Sequence, residues 1–571
     1  MAKKLYCASI FLFLTISAIF AQKHDFNWVL GTYPFKGDLL NFSDYELKIS
    51  LVDKTIPFFI TNTTMSTYSG EYAFSFNSWG IQDSQFQLMD NSDSLLLSSI
   101  PVLFDNYGGP FTQGCIALPS QKDTNRFLLF YWDFYQYAYM PDSPSYAPFH
   151  LYMAIIDKSG NGGRGSVIQK NILLMSDTLA NAGLTATKHA NGRDWWMVVP
   201  EAVSNRYQTL LIAGDSISNV FSQAVGIDWP VYVDVTSPSL FAPSGSRYLR
   251  FSDEVGLQIF EFDRCSGQFY DPKLIPFEFN EGYFSGLAIS RDSRFAYVTD
   301  VKHLYQYDLE ANEILASEIL IDIYDGYTNP YSCNFRNPQL APDGKIYLNS
   351  NGGCLTLHTI EHPERAGLAC DFKQHNIELN TFTVGGLPNM PNYRIGPVDG
   401  SICDSLGINN IPMAGFRFDN DNSDFLKVEF TDLSDYKPDN WIWDFGDGQT
   451  SIEQYPTHSY DSVGIYEVCL TVSNQNGSDT YCKTLQLNTS IIIEDVPEDN
   501  LVFYDFENVQ LIIQDIQMKN VKIFDVSGRI IKNIYAPSSS FVDMSDIERG
   551  LYFWQAFDRN GRLRTGKFVK I

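Results

Sequence analysis

Basic residues are scarce in this 571-residue chain: Lys and Arg total 40 against 67 Asp and Glu, a formal charge of −27. A surplus of that sign repels phosphate backbones and anionic lipid, which argues against a nucleic-acid or membrane-surface binder. Long apolar runs are also missing beyond the first 20 residues, so no transmembrane anchor is expected. No GxSxG, HExxH or Walker motif occurs, and no cysteine or histidine spacing suits zinc. One glycine-rich run, Gly160–Gly165, has no helical pattern behind it. Cradling a phosphate needs that helix, so a hairpin turn is expected there.

What the chain does have is length and aromatic bulk. It is about four times a typical domain, so several domains or one large repeat array are expected. Aromatics make up 15%, with 33 Tyr and 42 Phe, a composition suited to strands. Hydrophobic content of 44% is ample for packed cores.

Residues 1–21 read as a secretory signal peptide: Lys3 and Lys4, an apolar stretch from Ala8 to Phe20, and Ala21 as a small residue for cleavage. Setting aside Cys7 leaves eight cysteines, an even number that suggests disulfides in an exported protein. One pair follows from register. Two alternating runs flank the turn signal Asn474–Gly477. If Ser473 faces Ser478, then Cys469 faces Cys482, within bridging range at a non-hydrogen-bonded pair.

Between about Asp25 and Gly400, a polar turn recurs after an apolar strand and before an aromatic one. Four turns centre on Gly192, Gly245, Ser293 and Gly344, at spacings of 53, 48 and 51 residues, with weaker copies at Gly70 and Asn125. A period near 50 is about one four-stranded propeller blade with its loops. Six turns and the unmatched ends predict about seven blades, one of them completed by both termini. The segment 141–148 (PDSPSYAP) reads as an insertion.

The segments 150–167, 188–196, 340–347, 362–372 and 386–407 resemble the propeller-type N-terminal regions of large bacterial surface proteins that use the type IX secretion route. That resemblance implies a fold and a location but no settled activity. Farther on, the stretch from Trp441 through WIWDFGDGQTS to Gly464-Ile465-Tyr466 resembles a PKD domain, an immunoglobulin-like sandwich. Alternation puts Trp443 and Phe445 on one strand face and Asp444 on the other, while Gly446 and Gly448 flank Asp447 at a tight turn. The last section, with FDVSGRII, Gly550-Leu551-Tyr552 and a Lys567–Lys570 ending, resembles a type IX C-terminal sorting domain. It lacks the usual proline- and asparagine-rich opening. The resemblance implies passage to the outer-membrane surface of a Gram-negative bacterium, or release from it.

The fold class expected is therefore all-β. A propeller of about seven blades (25–400) precedes a PKD sandwich (408–490) and a small β-sandwich sorting domain (498–571). Candidate ligand-binding residues are His189, Asp194, Trp195 and Trp196, where a tryptophan could stack on a sugar. The same turn recurs without histidine, so packing between sheets is the favoured account of that cluster. Asp419, Asp421 and Asp424 are hard oxygen donors at short spacing and could hold calcium. A solvated acidic turn is the favoured alternative there, and no other cofactor is expected. Asp444 and Asp447 read as turn-fixing residues. Function is expected to be binding or adhesion to extracellular polysaccharide or a surface protein, with the type IX machinery as export partner. A propeller hydrolase or lyase acting on extracellular polymer is the alternative.

Overall fold

A computed structural model describes residues 22–570 except 34, 94, 96–107, 134, 141–142, 230–236, 279–284, 422–423, 425, 488–501, 506–509, 514–519, 526–528, 536–540, 546, 548 and 558–562. The signal-like residues 1–21 lie outside that description. Strands dominate throughout, and the chain is all-β with an immunoglobulin-like sandwich near its C-terminal third.

Seven antiparallel sheets follow one another in chain order from Asn27 to Thr383. Sheet 1 opens with Asn27–Leu30 and sheet 2 with Thr63–Ser66. Sheets 3 to 7 open with Cys115–Pro119, Thr185–Lys188, Ser239–Phe241, Gly286–Ile289 and Pro338–Leu340. Among the described residues, sheets 3 to 7 have four strands each and sheets 1 and 2 have three. Within sheet 3, the hairpin Tyr135–Met140 and Ser143–Ala147 stands apart as its own two-stranded ribbon, overlapping the insertion read at 141–148.

The recurring turn has one structural job: it joins the first strand of a sheet to the second. Gly70, Gly192, Gly245, Ser293 and Gly344 all have positive φ there, and each donates its N–H to the carbonyl three residues earlier. Glycine adopts that conformation without a Cβ clash. At Gly192 there is a second reason, since a Cβ would meet Pro397 at 2.7 Å.

Each sheet buries both faces against its neighbours, so strands such as Phe295–Thr299 and Trp195–Pro200 are buried along their whole length. That explains near-continuous apolar strands where a half-solvated sheet would alternate. The interfaces run in order. Val29 of sheet 1 and Tyr72 of sheet 2 pack together with Phe58 from the loop between them, and one large core joins sheets 2, 3 and 4. Trp196, Tyr207 and Tyr248 join 4 and 5; Leu249 and Ile289 join 5 and 6; Tyr297 and Leu348 join 6 and 7. Finally Trp28 and Leu40 of sheet 1 pack with Tyr347 and Leu357 of sheet 7, returning the circuit to its start.

The closure differs from the expectation that one sheet would be shared by both termini. Sheet 1 is built entirely from N-terminal strands, and sheet 7 supplies its own four. Polar bonds add to the apolar contact at this seam: buried Asp38 accepts hydrogen bonds from the N–H groups of Asn380 and Thr381, and Thr32 N–H donates to Phe382 O at 2.9 Å. A carboxylate bonded by several donors is an adequate substitute for a shared strand because it satisfies both edges.

The sandwich spans Phe416–Leu487, with one three-stranded and one four-stranded sheet. Its core holds Phe416, Phe430, Trp443, Phe445, Tyr460, Val468 and Leu470, as alternation predicted for Trp443 and Phe445. Cys469 and Cys482 are directly opposed and form a disulfide; two further disulfides join Cys265 to Cys403 and Cys333 to Cys354. Cys115 and Cys370 are buried free thiols. Beyond, strands between Val502 and Lys570 form a three-stranded and a four-stranded sheet.

Candidate functional site: an axial cavity

The first strands of neighbouring sheets lie side by side, Thr63–Ser66 against Asn27–Leu30 and Gly286–Ile289 against Pro338–Leu340 among them, and so face a common axis. After sheet 7 the chain turns back at Gly385 and runs along the axis as residues 387–398. Asn389 is the pivot of this strap. Its side-chain amide donates to Cys115 O and Leu184 O, both at 2.8 Å, its carbonyl accepts from Thr63 Oγ1, and its N–H donates to Asn62 O. One residue thus ties together sheets 2, 3 and 4. Tyr393 Oη adds a bond to Ala117 O at 2.9 Å, and Asn392 Nδ2 one to Pro243 O. Proline at 388 and 391 suits such a strap, since it fixes φ and has no N–H to leave unsatisfied.

Above the strap is a cavity of about 560 Å³, within the range of small-ligand pockets. Its wall takes residues from the first strands or their approaches in sheets 3 to 7, among them Gln113, Thr185, Leu240, Leu287 and Gln339, and from the strap and the sandwich.

Four charges, buried Arg394 and Asp435 and half-buried Asp25 and Arg291, fix one side of it. Arg394 Nη2 donates to Asp25 Oδ2 at 2.8 Å and its Nε lies 3.0 Å from Asp435 Oδ2. Arg291 shares Asp435 and also donates to Leu433 O at 2.7 Å. Burial alone would lower the Arg394 pKa, but Asp25 and Asp435 outweigh it and hold the guanidinium above its ordinary value. This network joins the N-terminus of sheet 1, the strap, sheet 6 and the sandwich.

The sandwich is consequently docked rather than strung on a linker. Arg417 donates to Asp343 O and Glu361 O of sheet 7, and Arg365 pairs with Glu429 at 2.9 Å. Lys483 pairs with Glu46 at 2.7 Å, and Leu433 packs into the core shared by sheets 1 and 7.

Arg264 occupies a different position on the wall. Its Nε donates to Lys188 O at 2.7 Å, and its Nη2 to His189 O and Gly396 O. It forms no ion pair among the described residues, and burial lowers its pKa to about 10. Neighbouring Lys188 is buried as well, bonded to Gln22 Oε1 at 2.8 Å, and burial followed by the Arg264 charge brings it to about 7.

The candidate residues of the 188–196 turn lie behind Arg264. His189 Nδ1 accepts the Asn191 N–H at 3.0 Å, which leaves the proton on Nε2 to donate to Cys265 O at 3.1 Å. Asp194 accepts from Asn191 Nδ2 and from Arg193. Trp195 and Trp196 are buried, and Trp196 Nε1 donates to Arg264 O at 2.8 Å. The turn therefore brings its four candidates together as a support for the cavity wall, with their polar atoms engaged inside the fold.

The acidic candidates in the sandwich are each engaged by neighbouring groups, and the Asp424 N–H donates to Asp421 Oδ1 at 3.3 Å. Asp419 lies 3.3 Å from Arg417 Nε, Asp421 accepts from Lys427 Nζ at 3.0 Å, and Asp424 accepts the Leu426 N–H. Among the described residues no group of three or more His, Cys, Asp or Glu converges as a metal site. Asp444 and Asp447 accept the N–H groups of Gly446 and Gln449, as turn-fixing residues do, and Asp447 also pairs with His458 at 2.8 Å.

Asn389, Arg394, Arg264, Asp25, Asp435 and Arg291 were not singled out by sequence. The strap carried the only signal, a Pro-Asn-rich run with no strand alternation, but nothing in it says where the run goes.

A seven-sheet circuit with an axial cavity and a docked immunoglobulin-like sandwich is thus the class of protein at hand. Residues 409–489 match the PKD domain family. Over 82 residues the chain is 38% identical to pre-pro-metalloprotease PrtV of Vibrio cholerae serotype O1, covering 14% of this chain and 9% of PrtV. Over 76 residues it is 37% identical to collagenase ColQ1 of Bacillus cereus, covering 13% of this chain and 7% of ColQ1. The crystal structure of the first PKD domain of V. cholerae PrtV is 38% identical, with a TM-score of 0.13, covering 14% of this chain and 98% of that one. The chain thus spans less than a tenth of these curated relatives. Sharing a PKD domain with them is consistent with an extracellular protein. Among the described residues no helix is long and apolar enough to cross a membrane.

Proposed function

We propose that the protein is an exported, surface-associated binding protein that recognises extracellular polysaccharide through the axial cavity. In this reading residues 25–400 form a seven-bladed propeller, the PKD domain is a rigid wall of the site, and residues 498–571 direct the chain through type IX secretion to the surface of a Gram-negative bacterium. The observation that carries the reading is the state of the cavity's carboxylates. Asp25 and Asp435 are both held by Arg394, with Arg291 on Asp435 as well, and the strap fills the axis below them. General acid–base work on a glycosidic bond needs two carboxyl groups facing a bound substrate, one of them able to carry a proton. Carboxylates pinned to guanidinium groups are better suited to holding walls in place. The PKD domains of PrtV and ColQ1 keep open the second reading, an enzyme acting on extracellular polymer. A glycan array probed with the full chain, run beside a polysaccharide-degradation assay, separates them. Retention of a polysaccharide without release of shorter products is expected; product release would establish the enzyme reading instead.

A further inference from the structure

Charge on the cavity wall does not balance locally, and the imbalance is of the opposite sign to the chain. The wall carries Arg264, Arg291, Arg394 and Lys437 against Asp25, Asp292 and Asp435. Arg291 and Arg394 are consumed by Asp25 and Asp435. Asp292 is a local cap, accepting from Ser290 Oγ and the Arg294 N–H. What remains is Arg264 and Lys437 against Asp292, a surplus of one positive charge in a protein whose formal charge is −27.

Arg264 is the stronger of the two observations. It is only 5% exposed, and its three hydrogen bonds all go to backbone carbonyls through Nε and Nη2. The two N–H groups of Nη1 have no acceptor among the described residues. Burying a guanidinium without a carboxylate is costly, so a buried fork held in place by three carbonyls is an arrangement for a counter-charge that arrives from outside. Lys437 is exposed at the cavity and makes no ion pair among the described residues.

The other wall groups suit a sugar more than a peptide. Ser244, Ser246 and Ser293 present hydroxyls, with Ser244 Oγ 2.9 Å from Ser246 Oγ, while Pro243, Pro338 and Pro391 offer flat apolar surface. Hydroxyls placed beside flat apolar faces match the alternating polar edge and C–H face of a pyranose ring.

We propose that the cavity binds a uronic-acid unit of an acidic polysaccharide, with the sugar carboxylate taken by Arg264 and Lys437. This rests on the binding reading above and names its ligand class. The test is titration calorimetry of the full chain with oligomers of galacturonate, mannuronate and glucuronate, each beside its carboxyl-reduced neutral form. At least one uronate oligomer is expected to bind about tenfold more tightly than its neutral form, the usual scale of a charge-assisted contact, and to weaken with added salt. Lys437→Gln, at an exposed position, is expected to cost several-fold in affinity with the melting temperature unchanged. Arg264→Lys, which keeps the charge and loses the fork, is expected to cost about tenfold. Neutral forms that bind as well as the acidic ones would overturn the carboxylate site while leaving the polysaccharide reading intact. Binding of none of the uronates, with neutral glycans retained on the array, would do the same; silence of both would remove the two together. Preference for polyglutamate over every uronate would overturn the sugar assignment.

Discussion

The seven-sheet body and the PKD sandwich are both antiparallel β, yet they are held together by different means. In the sandwich, about 70 residues enclose a core of Phe416, Trp443, Phe445, Val468 and Leu470, and the register is pinned nearby by a disulfide between facing residues. In the body, apolar faces stack sheet on sheet, but the circuit is locked by polar groups far apart in sequence: Asp38 with Asn380, Asn389 with Cys115 and Leu184, Arg394 with Asp25. The comparison teaches where each region should be fragile. A sandwich fails when its centre is hollowed, whereas the ring fails when a single buried polar contact is left with one partner.

The largest effect is expected from Arg394→Ala, which strips Asp25 of its guanidinium and leaves Asp435 to Arg291 alone. A loss of about 3–5 kcal/mol in the unfolding free energy of the ring is predicted from chemical denaturation. A loss below about 1 kcal/mol would mean that the network is not what joins strap, ring and sandwich. Acid should come next. Burial lowers His24 and His358 to about 4 from an ordinary value of 6.5. Between those two pH values the unfolded chain binds more protons than the folded one. Stability is therefore full above about pH 6.5 and falls as pH drops toward 4, on the order of 3 kcal/mol for each histidine. Thermal melts across this window should show the decline, and His24→Gln should flatten part of it; a flat profile in the parent protein would refute the assignment. Asn389→Ala should cost less, about 1–3 kcal/mol, because it leaves two carbonyls without donors yet keeps the strap's backbone bonds. Hydrogen exchange should then quicken in the strand Cys115–Pro119 and leave the sandwich strand Gly464–Asn474 unchanged. Faster exchange in both would erase the distinction between the two regions.

What could be read from sequence follows the same division. The turns at Gly192, Gly245, Ser293 and Gly344 were visible because a positive-φ turn demands a particular residue at a fixed place, and the repeat copies that demand. The Cys469–Cys482 pairing was legible because a hairpin fixes register from its turn outward. The cavity was not legible. Its fork, Arg264, is an ordinary charged residue beside a disulfide cysteine, and its supports come from residues more than 70 positions away. The Trp195–Trp196 pair attracted notice as a surface for sugar, but large aromatic rings at a repeat position are drawn inward between sheets, where both are buried. Closure by both termini in one sheet was expected from counting copies; counting cannot show that Asp38 replaces a shared strand.

Asp25 and Asp38 find their partners 369 and 342 residues downstream. A chain that emerges amino end first must carry these two acids solvated until its four-hundredth residue is near, and only then can the seam be sewn. A product cut short before Gly386 keeps the Asp38 contacts but lacks the strap, so Asp25 has no Arg394 to hold it.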